Sequence, residues 1–237
     1  MKIYVLRLVF SLILLGTSVT LLAAPSPTQD LYESSISAVV RNKYYYKPGR
    51  LEFTLTAGAM PYDSLINHFM VGGHAEWHIT DHFGWEVVDF QWAFPSVTSY
   101  TTGIVKSYGI SHLEAVKMKQ LVSSNIVISP LYGKIRFVGR QVLYFDIYAV
   151  VGGGAANTDV LNFSSASTGT EPVQSILRSG WDPMFDIGFG FKVFLNDAMG
   201  LVIDLRDYIV DSRTYGSNGL KNNYSVFAGL SFFLPTF

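Results

Sequence analysis

Hydrophobic and polar residues alternate with a period of two along most of the chain after Leu51, the pattern of strands with one apolar and one polar face. Phe145, Ile147 and Ala149, for example, alternate with Asp146 and Tyr148. The pattern predicts eight strands, starting near Leu51, Phe69, Phe83, Asn125, Leu143, Phe185, Leu201 and Asn223. In the third strand the apolar phase slips near Val87–Val88, which predicts a β-bulge.

The connections between these strands alternate in length. Those at 80–82, 138–141 and 195–198 are short, and those at 60–67, 95–124, 156–183 and 211–222 are long. Short turns at one end, long loops at the other and an even strand number are typical of transmembrane barrels. A strand needs about 9–11 residues to cross the hydrocarbon, and only closed barrels or helices satisfy their backbone there. The sequence therefore predicts an all-β fold, an eight-stranded antiparallel transmembrane β-barrel with up-and-down topology.

A water-soluble eight-stranded barrel has the same period, with its apolar face inside. Aromatic residues favour the membrane barrel, because they fall near both ends of the strands, as in the two interfacial belts of membrane proteins. One belt is predicted from Trp77, Phe83, Trp85 and Phe194, and the other from Trp92, Phe94, Trp181 and Phe185.

The first 24 residues are typical of a secretion signal peptide. Lys2 and Arg7 precede the apolar run Leu8–Leu15, and small residues allow cleavage after Ala23 or Ala24. An uncleaved anchor helix is the alternative. We expect a periplasmic segment at 25–49 and the barrel at 50–237, with no further run of 18 apolar residues that would predict a transmembrane helix.

The amino-acid composition excludes several kinds of site and partner. Charged residues make up 15% of the chain, as do aromatic residues, whereas soluble domains average about 25% charged. The absence of cysteine excludes disulfides, thiolate metal sites, a cysteine nucleophile and a lipidated cysteine. A net charge of −1 gives no reason to expect a nucleic-acid partner, and 49% hydrophobic residues exclude disorder of the whole chain.

Charged residues on the predicted inner face are the main candidate site. They are Glu52, Glu76, Glu86, Lys134, Arg136, Asp146, Asp186, Lys192, Asp204 and Arg206. Buried charges need partners, so we expect an ion-pair network that stabilises and plugs the lumen. A proton or ion path, and hence a narrow channel, is the alternative.

We expect no cofactor and no metal. His74, Glu76 and His78 share one strand face, but residues four apart on a strand lie about 13 Å apart, too far for both histidines to bind one ion. Hydrogen-bonded lumen histidines are expected instead. The sequence contains no nucleophile elbow, P-loop or dinucleotide-binding motif.

The second long loop contains Ser111-His112-Leu113-Glu114, which fits a capping box and predicts a short helix through Gln120. Ser111 and His112 are also the only candidates for a lipid-modifying hydrolase. Residues 157–170, rich in Ser, Thr, Asn and Gly, predict an exposed, flexible loop.

The C-terminus resembles the terminal-strand signal that the outer-membrane assembly machinery reads. The signal is carried by Gly229, Phe232, Leu234 and Phe237, although Phe227 stands where a polar residue is usual. This resemblance implies the assembly machinery and outer-membrane lipids as partners, with the oligomeric state left open.

Three further motifs give a narrower resemblance. Residues 41–53, Pro130-Leu131-Tyr132-Gly133-Lys134, and Phe145–Tyr148 with the following Gly-Gly-Gly resemble a family of small OmpA-like outer-membrane barrels known mainly from myxobacteria and Bdellovibrio-like bacteria. The likeness spans Val39 to Leu234. The family has no established activity, so the resemblance implies a fold and an outer-membrane location and supplies no catalytic residues. From the chain as a whole we expect a structural or surface-interaction role.

Overall fold

The computed structural model describes residues 45–61, 65–108, 112–136, 142–164, 173–214 and 217–234. The predicted signal peptide, most of the predicted periplasmic segment, Ser111 and Phe237 lie outside these ranges.

The described residues form nine strands and one helix. In chain order they are β1 (Leu51–Met60), β2 (Ile66–His78), β3 (Phe83–Val97), α1 (Ser99–Tyr108), β4 (Leu113–Arg136), β5 (Val142–Ser164), β6 (Val173–Phe194), β7 (Met199–Thr214), β8 (Ser217–Lys221) and β9 (Tyr224–Phe233). Every paired strand is antiparallel to its neighbour, and successive strands from β1 to β7 pair in sequence order.

The sheet closes through its last strand. β9 pairs with β1, where Leu230 faces Leu55, and with β7, where Ala228 faces Ile203. The short β8 pairs with the outer part of β7, beyond the residues of β7 that pair with β9, so β8 and β9 are two pieces of one interrupted strand. The prediction of a closed eight-stranded, up-and-down antiparallel barrel is confirmed.

The bulge predicted in the third strand is also confirmed. The register between β2 and β3 shifts opposite Ala75 and Glu76, and the register between β3 and β4 shifts between Glu86 and Asp89. Val87 and Val88 consequently both face outward. The extra residue returns the following aromatic residues to the outer face.

Three of the long loops are shorter than predicted, because the strands continue. Leu113 on β4 pairs with Phe163 on β5, and Val160 on β5 pairs with Arg178 on β6. Residues 157–164 are therefore strand rather than flexible loop, and β7 likewise continues into its hairpin with β8. The side chains in these hairpins are polar, so the sequence showed no strand pattern there. The strands nevertheless continue, because pairing depends on backbone hydrogen bonds rather than on the side chains.

The helix predicted from Ser111 to Gln120 is wrong. Residues from Leu113 onward belong to β4, whose pairing with β5 overrides their helix propensity. The helix lies earlier, as α1, and Thr98 caps it: the Thr98 Oγ1 accepts a hydrogen bond from the Thr101 amide at 3.3 Å. Val105 of α1 is fully buried against Ile66 and Phe163.

The outer surface of the barrel is apolar. Phe53, Leu55, Phe69, Phe189 and Leu205 are each between 45% and 65% exposed. No helix in the described ranges has the length and apolar character needed to span a membrane.

Seven of the eight predicted belt residues face outward: Trp77, Phe83, Trp85, Trp92, Phe94, Trp181 and Phe185. Phe194 does not, because it is only 3% exposed and stacks on Tyr45 with ring centroids 4.9 Å apart. It shares the inner face with Lys192, two residues earlier on β6, so its assignment to a belt was wrong.

Candidate functional site in the barrel lumen

Eight of the ten predicted lumen charges are buried. Glu52, Glu76, Glu86, Asp146, Asp186, Lys192, Asp204 and Arg206 are each at most 3% exposed. Lys134 is not among them, because it lies on an exposed position near the end of β4, with its ammonium 5.4 Å from the Tyr144 ring centroid. The side chain of Arg136 lies outside the described residues.

The end of the barrel that carries the turns at 79–82 and 195–198 is called the turn end here, and the opposite end the loop end. Nearest the turn end, six buried groups form what we call the Lys192 cluster: Lys47, Glu52, Glu76, His78, Asp146 and Lys192.

The Lys192 ammonium is the centre of this cluster. It lies 2.5 Å from Glu52 Oε2 and 4.0 Å from Glu76 Oε2. His78 bridges the same two acids, with Nε2 2.8 Å from Glu52 and Nδ1 3.2 Å from Glu76. Both ring nitrogens therefore face carboxylate oxygens, and the ring lies between the two acids.

Lys47 enters the lumen from the segment that precedes β1. Its ammonium lies 2.5 Å from Asp146 Oδ2, and the residue is 1% exposed. The chain can turn into the barrel because Gly49 adopts a φ of 77°, and the Gly49 amide donates to the His78 carbonyl at 2.7 Å. Sequence reasoning missed Lys47, since only the Pro48-Gly49 pair hinted that the chain reverses here.

The second group, which we call the Arg206 cluster, lies further toward the loop end. Its charged members are His74, Glu86, Asp89, Asp186, Asp204 and Arg206, all buried.

Arg206 reaches across the lumen to acids on two other strands. Its Nη1 lies 3.1 Å from both Asp89 Oδ2 and Asp186 Oδ2, and its Nη2 lies 2.9 Å from Glu86 Oε2. Asp204 is 3.6 Å from Nη2. Among the described residues, the single guanidinium of Arg206 thus lies within ion-pair distance of four carboxylates.

Asp89 was missing from the predicted set, although the bulge places it inward. Because Val87 and Val88 both face outward, the residues that alternate with Phe90 and Trp92 face the lumen. The phase slip already visible in the sequence was therefore the signal that could have found it.

Neutral hydrogen-bonding groups complete the Arg206 cluster. The Asn125 amide donates to Glu86 and, at 3.0 Å, to Asp186 Oδ2. The Tyr148 hydroxyl donates to Asp204. These donors stabilise carboxylates that one guanidinium alone cannot satisfy.

A glycine makes room for this packing. A Cβ at Gly190 would overlap Cζ of Tyr148 and Oδ1 of Asp204. The Tyr148 ring also lies over the Lys192 ammonium, 5.2 Å from its centroid, and so joins the two clusters.

The histidines of the His-x-Glu-x-His motif belong to different clusters. His78 lies in the Lys192 cluster, whereas His74 Nδ1 is 3.7 Å from Glu86 Oε2 in the Arg206 cluster. In the described part of the chain, two sets of three ligand atoms are close enough to hold a metal ion, one around Glu52 and one around Glu86. In both sets the protein's own Lys192 or Arg206 already lies within ion-pair distance of the acids.

Apolar layers close both sides of the charged region. Toward the loop end, Met60, Met70, Met118 and Met184 pack in one cluster with Tyr208 and Phe227, and none of the four methionines is more than 3% exposed. Beyond them Val105 of α1 packs over Phe163. At the turn end, Tyr45 packs against Phe194 and Phe233. Buried side chains therefore lie at each of these levels of the lumen.

The C-terminal residues lie in β9 and just after it. Gly229 faces Thr56, where a Cβ would overlap the Leu55 carbonyl oxygen, while Phe232 and Leu234 face outward. His112, the hydrolase candidate, is exposed and contacts Glu114 at 2.9 Å.

An apolar outer wall around buried charges is the reverse of a water-soluble barrel. A soluble barrel would expose the charges and bury the phenylalanines. Fold and site together define the class of the protein: it is an eight-stranded transmembrane β-barrel.

No protein-family model and no curated relative matches the chain. Among solved structures, it is similar to the N-terminal β-barrel domain of OprF from Pseudomonas aeruginosa, with 14% identity and a TM-score of 0.40 over 79% of this chain and 98% of that one. It is also similar to a major outer membrane protein from Thermus thermophilus, with 13% identity and a TM-score of 0.34 over 78% and 99% of the two chains. The resemblance to the myxobacterial family remains a prediction.

Proposed function

We propose that the protein is an outer-membrane barrel with a closed lumen, whose role is structural or surface-interactive rather than enzymatic. The observation that carries this proposal is the contact of Arg206 with Glu86, Asp89 and Asp186, which joins three strands across the lumen.

Closure is supported at three levels along the barrel axis. The charged clusters occupy the middle, the methionine-rich cluster lies above them, and α1 covers the loop end. A hydrated ion needs a continuous polar path, and these layers leave apolar side chains in its way. The ion pairs then stabilise the barrel instead of lining a channel.

The predicted location rests on the apolar outer wall and on the signal peptide and terminal-strand signal read from the sequence. An exported chain with this wall has to leave water, and the bilayer it can enter as a barrel is the outer membrane. Outer-membrane lipids and the assembly machinery are the proposed partners.

The test combines fractionation with electrophysiology of the full chain. We expect the protein in the outer-membrane fraction, with faster gel migration when unheated than when boiled, and no discrete conductance in planar bilayers. A porin reconstituted in the same bilayers is the positive control. Discrete conductance steps would identify a narrow channel and overturn closure, whereas a soluble product without heat-modifiable migration would overturn the location.

Deletion of the protein tests whether it is a lipid-modifying enzyme instead. We expect the profile of outer-membrane lipids to be unchanged in the deletion strain. Loss of a particular modified lipid, restored by the wild-type chain but not by His112→Ala, would replace the non-enzymatic proposal with a lipid-modifying enzyme.

A further inference from the structure

We infer that the Arg206 cluster is a proton-binding site, which holds at least two protons on its carboxylates and makes the stability of the closed barrel depend on pH. This inference rests on the proposed closed lumen, because water in an open lumen would solvate the surplus charge.

The two lumen clusters differ in charge balance among the described residues. In the Lys192 cluster, three carboxylates meet two ammonium groups and His78, so the charges cancel if His78 is counted as a cation. In the Arg206 cluster, four carboxylates meet one guanidinium. Even if His74 is counted as a cation, two negative charges remain without compensation.

The groups that face the Arg206 cluster come from every element packed around it. The titratable and charged groups are His74 from β2, Glu86 and Asp89 from β3, Tyr148 from β5, Asp186 from β6, and Asp204, Arg206 and Tyr208 from β7. Neutral side chains come from β4, as Ser123 and Asn125, and from β3, as Gln91, which donates to Asp89 Oδ1 at 2.8 Å. The next inward acid on β6 is Asp182, which forms an ion pair with Arg178. Because Arg178 is paired there, it does not compensate the acids of the Arg206 cluster.

Burial makes the deficit costly. An uncompensated buried charge is strongly unfavourable, so such a group takes up a proton rather than remain ionised. Within the described ranges, Asp186 Oδ1 is a buried oxygen atom without a hydrogen-bond partner, so ionisation of this carboxyl leaves one of its oxygens unstabilised. Asp204 Oδ2 also lacks a hydrogen bond and lies 3.6 Å from Arg206 Nη2. A proton from solvent converts each carboxylate into a neutral carboxylic acid.

A metal ion fits this site less well than protons do. The three acids that could ligate a metal here, Glu86, Asp89 and Asp186, are those that the Arg206 guanidinium already contacts at 2.9–3.1 Å. A metal ion would have to lie beside that guanidinium, whereas a proton needs no room.

Proton binding predicts a definite dependence of stability on pH. In the unfolded chain these carboxylates are ionised above about pH 5, so folding takes up the protons that the cluster requires. Two protons bound only in the folded state lower the folding equilibrium constant about 100-fold for each unit by which pH rises, as long as the folded cluster retains them. The barrel should therefore lose stability as the pH rises above about 5, up to the pH at which the folded cluster releases its protons.

The decisive experiment compares two Asp→Asn variants of the full chain, folded in detergent micelles and unfolded with urea at several pH values between 5 and 8. Asp186→Asn removes one of the carboxylates that exceed the cations of the Arg206 cluster. The asparagine amide nitrogen can occupy the position of Asp186 Oδ1, which has no hydrogen-bond partner. Asp146→Asn is the matched control, because it removes an acid from the balanced cluster. Wild type and the two variants contain the same histidines. The contribution of the histidines to the pH dependence of stability therefore cancels when the three proteins are compared.

We expect Asp186→Asn to reduce the pH dependence by one proton, about tenfold per pH unit, and to be at least as stable as wild type at pH 8. Asp146→Asn should be less stable than wild type and should leave the cluster's proton uptake in place. Equal pH dependence in wild type and Asp186→Asn, or destabilisation of Asp186→Asn to the same extent as Asp146→Asn, would overturn the inference.

A second variant covers the case in which Asp186→Asn does not fold. Asp204→Asn keeps an oxygen that accepts from Tyr148, and it should show the same one-proton reduction; an unreduced pH dependence would again overturn the inference. Conductance of the same wild-type sample separates the two hypotheses. An open, conducting lumen contradicts the proposed function, whereas a closed lumen without proton uptake contradicts only the proton site.

Discussion

The ammonium of Lys47 lies 2.5 Å from the carboxylate of Asp146, although 99 residues separate the two in sequence. The pair joins the segment before β1 to the fifth strand and is almost completely buried. It holds the segment before β1 inside the barrel, as part of the Lys192 cluster.

Lys47→Met should destabilise the barrel by about 3–5 kcal/mol, because it leaves Asp146 as an unpaired buried charge. Urea unfolding of the detergent-folded protein, followed by heat-modifiable gel migration, measures the change. The control is Lys119→Met, which breaks a partly exposed pair with Asp159 and should cost less than about 1 kcal/mol. Equal effects in the two variants would show that Lys47 does not hold the segment in the lumen.

Arg206→Met should be as damaging as any single change in the lumen, with a loss of at least about 3–5 kcal/mol, because four carboxylates lose their guanidinium. Its effect should weaken as pH falls and the acids become protonated. Lys134→Met serves as the control, since Lys134 is exposed and should give a near-wild-type unfolding midpoint. A strong destabilisation by Lys134→Met would show that Lys134 belongs to the lumen ion-pair network.

Gly190→Ala should destabilise by about 1–3 kcal/mol, since the new methyl group would overlap the Tyr148 ring and the Asp204 carboxylate. Gly180→Ala lies on the same strand and is the matched control, because a Cβ there meets none of the described atoms within 4 Å. Urea unfolding midpoints of both variants test the packing of the lumen, and similar midpoints would contradict it.

Phe189→Arg tests the orientation of the barrel wall. Phe189 is 64% exposed, near the middle of the spanning part of β6, and a charge there should cost about 2–4 kcal/mol in a bilayer. Val173→Arg, at the start of the same strand beyond Trp181, should have little effect. The measurement is folding stability in lipid vesicles, and a neutral Phe189→Arg variant would indicate a wall that faces water.

Local patterns determined much of this protein. The period of two identified the strands and their two faces, and one phase slip identified the bulge that turns both Val87 and Val88 outward. These predictions held because side-chain direction along a strand depends only on residue spacing. The same spacing placed eight of the ten predicted charges inside the barrel.

Only the tertiary structure decided which residues meet. At the turn end, Tyr45 packs against Phe194 and Phe233 because the chain before β1 folds back into the lumen, and the same fold places Lys47 beside Asp146. Residues 113–120 became strand because β5 supplied a partner for their backbone, while the helix formed where Val105 could be buried. Periodicity specifies the face of a strand, but the pairing of charges and the ends of strands depend on contacts between residues distant in sequence, and the closed barrel alone provides these.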